Sequence, residues 1–276
     1  CNPLRHHSAN SPCHGGAGRL ADLSLRCKCH ISCFCTVGRC RGAGDVAKPL
    51  QPREQKSLAM ADFALRRRMM VDTQVRPSDV TKFPIIDAML KVEREAFLPD
   101  ALREAAYSGE NLDLGEKRVL LEPRTLAKML DALNISGDQL VLDIGCAYGY
   151  SSAVVARMAQ AVVAVEEDSA MAAEAQSAFV ESGTDNVIVH EGPLADGAAE
   201  HGPYDVILIQ GGVEQLPGTI ADQLKDGGRI ACLFMEDALG IVRIGYKTGG
   251  TLSWRFDFNA SAPVLPGFEK EAVFAL

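Results

Sequence analysis

No apolar run in this chain is long enough to cross a bilayer, and Arg157 and Gln160 interrupt the best candidate, which argues against a membrane-spanning helix. Beyond the first 40 residues only Cys146 and Cys232 occur, too few for a disulfide framework and in keeping with a reducing cytoplasm. Basic charge is scarce in the same region. Residues 60–276 hold 19 Lys/Arg against 33 Asp/Glu, and so acidic a body is a poor partner for a nucleic-acid backbone. The body shows no internal repeat and no low-complexity tract. It also lacks G-x-G-x-x-G, which counts against a dinucleotide site. What is present is ordinary globular composition, 47% hydrophobic and 23% charged.

Residues 1–59 differ from the rest. They carry nine Lys/Arg against three Asp/Glu, and seven of the nine cysteines. Cys27-x-Cys29-His30, Cys33-x-Cys35 and Cys40 raise the idea of a metal cluster, although zinc sites favour C-x₂-C or wider pairs. A targeting peptide is a second reading, but no amphipathic period or apolar h-region is visible. The abrupt change of character at Met60 supports a third, in which residues 1–59 are an upstream extension without order and translation starts at Met60. The expected division is therefore 1–59, then one domain over 60–276, with a helical part at 60–135 and a sheet and tail at 136–276.

Apolar residues at Val80, Phe83, Ile86, Met89, Leu90 and Val92 predict a helix over 79–92. Pro123 suits the first turn of a helix running to about Leu133. Strands are predicted at 139–144, 161–166, 186–190, 204–209 and 228–234, most of them separated by helical stretches of 10–15 residues. Gly227-Gly228 is read as ending a helix that carries Ile220 and Leu224. A hairpin follows, Ile241–Lys247 and Thr251–Phe258 around Gly249-Gly250, and a last strand at Ala272–Leu276. The expected fold class is α/β: a doubly wound, mostly parallel, Rossmann-like methyltransferase sheet with an antiparallel C-terminal strand pair and an N-terminal helical extension.

Val141–Tyr150 reads as a strand breaking into a glycine turn and then a helix, and Ala161–Glu166 as the next strand, ending in a carboxylate. Backbone N–H groups at such a turn, with an acid at the neighbouring strand's tip for ribose hydroxyls, make a nucleoside site. Gly145 and Gly149 are spaced G-x-x-x-G, which points to S-adenosylmethionine as cofactor. Asp143 sits at the carboxyl end of the first strand. Cys146 is read as a small turn residue, not a nucleophile. Tyr148 and Tyr150 either cover the cofactor or pack. His190 and His201 stand too far from other ligands in sequence to suggest a metal site, so no metal is expected.

Upstream of that strand lie Val92-x-Arg94-Glu95-x-Phe97-Leu98-Pro99, Ala106-Tyr107, Leu112-x-Leu114-Gly115 and Glu122-Pro123. Downstream lie Tyr204-Asp205-Val206-Ile207 and Gln223–Arg229. In order and spacing this series, over about residues 69–235, resembles the protein-L-isoaspartate O-methyltransferase family. The resemblance implies a cytoplasmic protein-repair enzyme that methylates isoaspartyl carboxylates in damaged proteins or peptides. It implies neither nucleic acid nor membrane as partner, and leaves the oligomeric state open. Cofactor contacts would come from Asp143, Gly145, Cys146, Gly149, Tyr150, Glu166, Glu167 and Gly192. A carboxylate acceptor is already ionised at neutral pH, with an ordinary pKa of about 4, so no general base is needed. Alignment and exclusion of water are the main requirements.

Three departures from the family pattern stand out. Leu121 occupies the position of a serine whose hydroxyl faces the acceptor, and leucine has no hydrogen bond to give. Gly192-Pro193-Leu194 replaces Gly-Asp-Gly, so Pro193 stands where an acid would meet adenine, with Glu191 and Asp196 as nearby substitutes. Gln210-Gly211-Gly212 replaces Thr-Ala-Ala. Arg118 either offers a charged fork to the acceptor or is a surface residue beside Lys117. These departures keep two further readings open: another acceptor, or a cofactor-binding relative without turnover.

Overall fold

The computed structural model describes residues 62–270. The Cys-rich leader, the boundary at Met60 and the strand expected at Ala272–Leu276 lie outside these residues.

Nine strands occur among the described residues. β1 (Leu112–Gly115) and β2 (Arg118–Leu120) form a small antiparallel hairpin. The other seven are β3 (Leu140–Ile144), β4 (Ala161–Glu166), β5 (Val187–Glu191), β6 (Tyr204–Val213), β7 (Leu224–Glu236), β8 (Leu239–Thr248) and β9 (Thr251–Ala260). They make one sheet in the order β5-β4-β3-β6-β7-β8-β9. Pairing is parallel from β5 across to β7 and antiparallel through β7-β8-β9. The chain order reverses at β3, between β4 and β6, which is where doubly wound sheets open a crevice for ligands.

β3 and β4 read as apolar runs, interrupted only by Asp143 and ended by Glu166, because helices or loops cover both faces. Alternate residues face opposite ways. Val141, Val162, Ala164, Val206 and Leu208 join a core with the N-terminal helices. Leu142, Ile144, Val163, Val165, Ile207 and Ile209 join a second core, which also takes in Leu194, Leu265 and Phe268.

The helices are α1 (62–70), α2 (Phe83–Lys91), α3 (Pro123–Leu133), α4 (Tyr150–Ala156), α5 (Ser169–Ser182) and α6 (Gly218–Asp222). α2 begins later than the periodicity suggests, because Asp79 takes a left-handed conformation (φ 66°) and Pro84 sets the first turn. Pro123 opens α3 as expected, and Asn134 closes it in a left-handed conformation. Only α5, with 14 residues, has the length expected of the crossover helices. α4 has 7 residues and α6 has 5, and single 3₁₀ turns at Leu194–Asp196 and Ala199–His201 join β5 to β6. Leu224 is not helical. It already pairs with Tyr204 in β7, and Gly227 (φ +83°) lies inside the irregular stretch before Val206 meets Arg229.

Candidate active site at the carboxyl edge of the sheet

Gly145 ends β3 with φ +75°, and its N–H and that of Cys146 donate to the Val165 carbonyl (2.9 and 3.2 Å). Ala147 is held left-handed (φ 48°), a conformation that costs a residue with Cβ about 1–2 kcal/mol. Gly149 caps α4 at φ +92°, where a Cβ would stand 2.5 Å from the Phe179 ring. This glycine is required by packing as well as by backbone geometry.

Asp143 is fully buried and turns under this loop. It accepts from Ser151 Oγ and Ser152 Oγ (2.6 Å each) and from Gln210 Nε2 (2.8 Å). Burial pushes its carboxyl above the ordinary range, and the three donors oppose that shift. Cys146 is buried, and burial, reinforced by Asp143 and Glu166, raises its thiol well above the usual value. A protonated, enclosed thiol is no nucleophile, in line with its reading as a turn residue. Tyr150 is buried too, with the Arg94 guanidinium 4.7 Å from its ring centroid. Burial raises the Tyr150 phenol, while Arg94 acts the other way.

Glu166 is the centre of the site and is completely buried. Its Oε1 accepts from the N–H groups of Glu167 (2.8 Å) and Asp168 (3.0 Å), and its Oε2 from Ala147 N–H (2.8 Å). Arg118 adds Nε to both oxygens (3.0 and 3.2 Å) and Nη2 to Oε1 (2.9 Å). A carboxylate offers about four lone-pair sites, so these donors leave no acceptor capacity for a ribose diol. Arg118 is only 2% exposed. It is neither a surface arginine nor free to meet an acceptor carboxylate, because its fork is spent on Glu166. Glu167, half exposed, comes within 3.7 Å of the same guanidinium.

The remaining candidates fall around this pair. Gly192 N–H donates to the Glu166 carbonyl (3.0 Å) and closes the β4–β5 edge. Pro193 leads into a turn that buries Leu194, while Glu191 and Asp196 stay exposed. Leu121 puts its side chain into the main core, and its carbonyl accepts from Arg94 Nη2 (2.7 Å). His190 and His201, isolated in sequence, are neighbours in the fold on either side of Glu200.

One participant escaped the sequence reading. Residues 261–268 return across the sheet's carboxyl edge as a strap. Gly212 N–H donates to the Pro263 carbonyl (2.8 Å), and Leu265 N–H donates to the Gly212 carbonyl (3.0 Å). The Leu265 side chain lies against the glycines: a Cβ on Gly211 would meet it at 2.6 Å, and one on Gly145 at 3.2 Å. Two glycines at the end of an apolar strand were the available signal, since they mark close backbone approach.

The residues as placed do not fit S-adenosylmethionine. The cavity bordered by Gly145, Cys146, Ala147, Tyr148, Tyr150 and Gln210 is ≈ 10 Å³. That is about one water, where small-molecule pockets have about 300–1,000 Å³. Larger hollows lie elsewhere: one of ≈ 380 Å³ between α2, α4 and α5, one of ≈ 560 Å³ beside Gly202-Pro203, and one of ≈ 410 Å³ that touches the turn only at Tyr148 and opens between Phe97–Arg103 and α5.

Comparison with known proteins adds descent to this geometry. Residues 66–238 match the family model described as protein-L-isoaspartate(D-aspartate) O-methyltransferase (PCMT). A protein-L-isoaspartate O-methyltransferase 2 of Geotalea uraniireducens is 35% identical over 195 residues, covering 70% of this chain and 90% of its own length. A protein-L-isoaspartate O-methyltransferase 1 of Rhodopseudomonas palustris is 36% identical over 168 residues, 61% of this chain and 69% of its own. A solved protein-L-isoaspartate O-methyltransferase superposes with a TM-score of 0.65 at 26% identity, covering 73% of this chain and 66% of that one. A second solved structure, from Plasmodium falciparum and in complex with S-adenosyl-L-homocysteine, shares the fold at a TM-score of 0.62 and 16% identity, covering 74% and 97%.

Proposed function

The chain belongs to the protein-L-isoaspartate(D-aspartate) O-methyltransferase family, whose members methylate isoaspartyl carboxylates with S-adenosylmethionine, and we propose that it performs this reaction on proteins carrying such residues. One observation carries the reading at the site. A buried acid, Glu166, and a left-handed turn, Gly145–Gly149, meet at the carboxyl ends of β4 and β3, at the reversal of chain order. When bound, the sulfonium donor supplies the methyl group.

The chain's own part is positional. Asp143 fixes the turn from beneath through Ser151, Ser152 and Gln210. The segment from Leu114 to Pro123 shapes the acceptor side, and Gln210–Gly212 the opposite wall. No side chain has to take a proton from a carboxylate that is already ionised, and the apolar wall of Leu120 and Val119 keeps water out. The test is incubation of the full chain with labelled S-adenosylmethionine and an isoaspartyl peptide, with the aspartyl peptide as control. An alkali-labile methyl ester on the isoaspartyl peptide alone is the expected result. Folded protein that esterifies neither peptide would remove the assignment.

Leu121 favours one competing reading, a different acceptor. Its side chain is buried in the core, where the resemblance implies a hydroxyl facing the substrate. If Leu121→Ser raises isoaspartyl methylation, the acceptor assignment holds. If it changes nothing while other carboxylates are methylated, the second reading takes over.

A further inference from the structure

We propose that the resting chain occupies its own donor site: Arg118 takes the place of the ribose hydroxyls on Glu166, Leu265 fills the space above Gly145 and Gly211, and nucleoside enters only when both withdraw. The inference rests on reading Glu166 as the acid that holds the ribose. Three observations support it. The first is saturation of the carboxylate, with three backbone N–H groups and a two-nitrogen guanidinium contact on one buried group. The second is a matched set of sequence departures. Alanines at 211 and 212 would drive Cβ atoms into Leu265 (2.6 Å) and into Met235 and the Ala262 carbonyl (2.6 and 2.8 Å), so the glycine pair is what lets the strap seat. On the adenine side an exposed Pro193 stands where an acid is expected, and Leu194 beside it packs in the same core as Leu265.

The third observation is that the two closing elements are tied together. Asn111 Nδ2, just before β1, donates to the Ser261 carbonyl (2.6 Å), and Lys117 Nζ pairs with Glu269 Oε1 (2.9 Å). Hairpin and strap are thereby tied to each other, the first on Glu166 and the second on Gly145 and Gly211. The hairpin is held at a cost, because Gly115, Glu116 and Lys117 all have positive φ (86°, 48° and 58°), and two of them carry a Cβ. A closed form with stored backbone strain and a desolvated ion pair is suited to switching rather than to permanent closure.

The measurement is calorimetric titration of S-adenosylhomocysteine into the full chain and into Leu265→Ala, Gly211→Ala and Arg118→Met, with hydrogen exchange followed over residues 111–120 and 261–269. Weak binding by the parent chain is expected, at least tenfold tighter binding by Leu265→Ala and Gly211→Ala, and faster exchange in both segments on saturation. Arg118→Met leaves Glu166 unpaired and is open to misfolding; the two strap variants leave the ion pair intact. Tight binding by the parent, equal in the strap variants and without loosening of either segment, would overturn the proposal and leave the methyltransferase reading standing. Folded strap variants that never bind would overturn both. Tighter binding by Leu265→Ala, with no methyl ester formed when that variant is incubated with S-adenosylmethionine and the isoaspartyl peptide, would keep the closed site and reject the repair reaction.

A different observation carries a second inference. His190 Nδ1 and His201 Nε2 each lie 3.3 Å from Glu200 Oε1, and ligating atoms of all three residues fall within 4.8 Å of one another. Zinc bonds of about 2.0–2.1 Å in a tetrahedron place ligands about 3.3 Å apart, which is the spacing of both histidine–glutamate pairs. From this geometry we infer a divalent zinc site on the outer edge of the sheet, with β5 supplying His190, the Ala199–His201 turn supplying the other two, and a fourth position open to water. Titration of the full chain with Co²⁺, followed by visible absorption, separates this site from the leader cysteines, which alone give thiolate charge-transfer bands. Expected is one equivalent of cobalt with the weak visible bands of nitrogen and oxygen ligation, lost in the His190→Ala/His201→Ala double variant. Unchanged stoichiometry and spectrum in the double variant would refute the site.

Discussion

Asp143 shows how much one buried carboxylate commits its neighbours. Gln210 Nε2 can only donate, so an amide at this position would keep its oxygen towards Gln210 and turn its N–H₂ on Ser151 and Ser152, whose hydroxyls would have to swing from donating to accepting. Asp143→Asn should therefore lower stability by about 1–3 kcal/mol, read from urea midpoints. Because burial raises this carboxyl, the folded state binds its proton more tightly than the unfolded chain does. Its contribution is then greatest in acid and is lost as pH rises through the folded value. Gly149 is constrained for a different reason. Gly149→Ala combines φ +92° with a 2.5 Å approach to the Phe179 ring, and a loss of at least about 2 kcal/mol in thermal unfolding is expected.

At the scale of elements, strap and hairpin behave as one device. Gly211→Ala should unseat Leu265 and expose the segment to protease between residues 261 and 268 under native conditions, with little change elsewhere. Their ionic tie has a definite pH window. The Lys117 ammonium holds the Glu269 carboxyl below the usual glutamate range. A lowered folded value means the contact is fully present above the ordinary glutamate pKa of about 4.3 and fades as pH falls through the folded value. Exchange rates in the strap should therefore be flat from pH 6 to 8, after correction for intrinsic chemistry, and rise only in stronger acid. These elements were also the hardest to read in advance. β3 and β4 announce themselves because a strand buried on both faces is apolar at nearly every position. β2 is three residues, Arg118–Leu120, with no period to detect. The bond that matters joins positions 48 apart, and local pattern carries no information on it. The glycine turn and Glu166 were legible in sequence; what sits on them was not.

For the molecule as a whole, Arg94 is the joint between the helical N-terminal part and the sheet. It is fully buried, donates to the carbonyls of Ala106 (2.6 Å) and Leu121 (2.7 Å), and stacks on Tyr150 at the start of α4. No carboxylate pairs with it among its hydrogen-bond partners, and burial lowers its pKa. Arg94→Met should cost about 3 kcal/mol or more by orphaning two buried carbonyls, and the loss should appear as one cooperative transition shared by both cores.

The seven-stranded sheet is complete at Ala260, and Leu265 comes only after it. Leu265 can therefore leave Gly145 and Gly211 without breaking any pairing among the seven strands, whereas Arg118 reaches Glu166 from the hairpin that precedes β3.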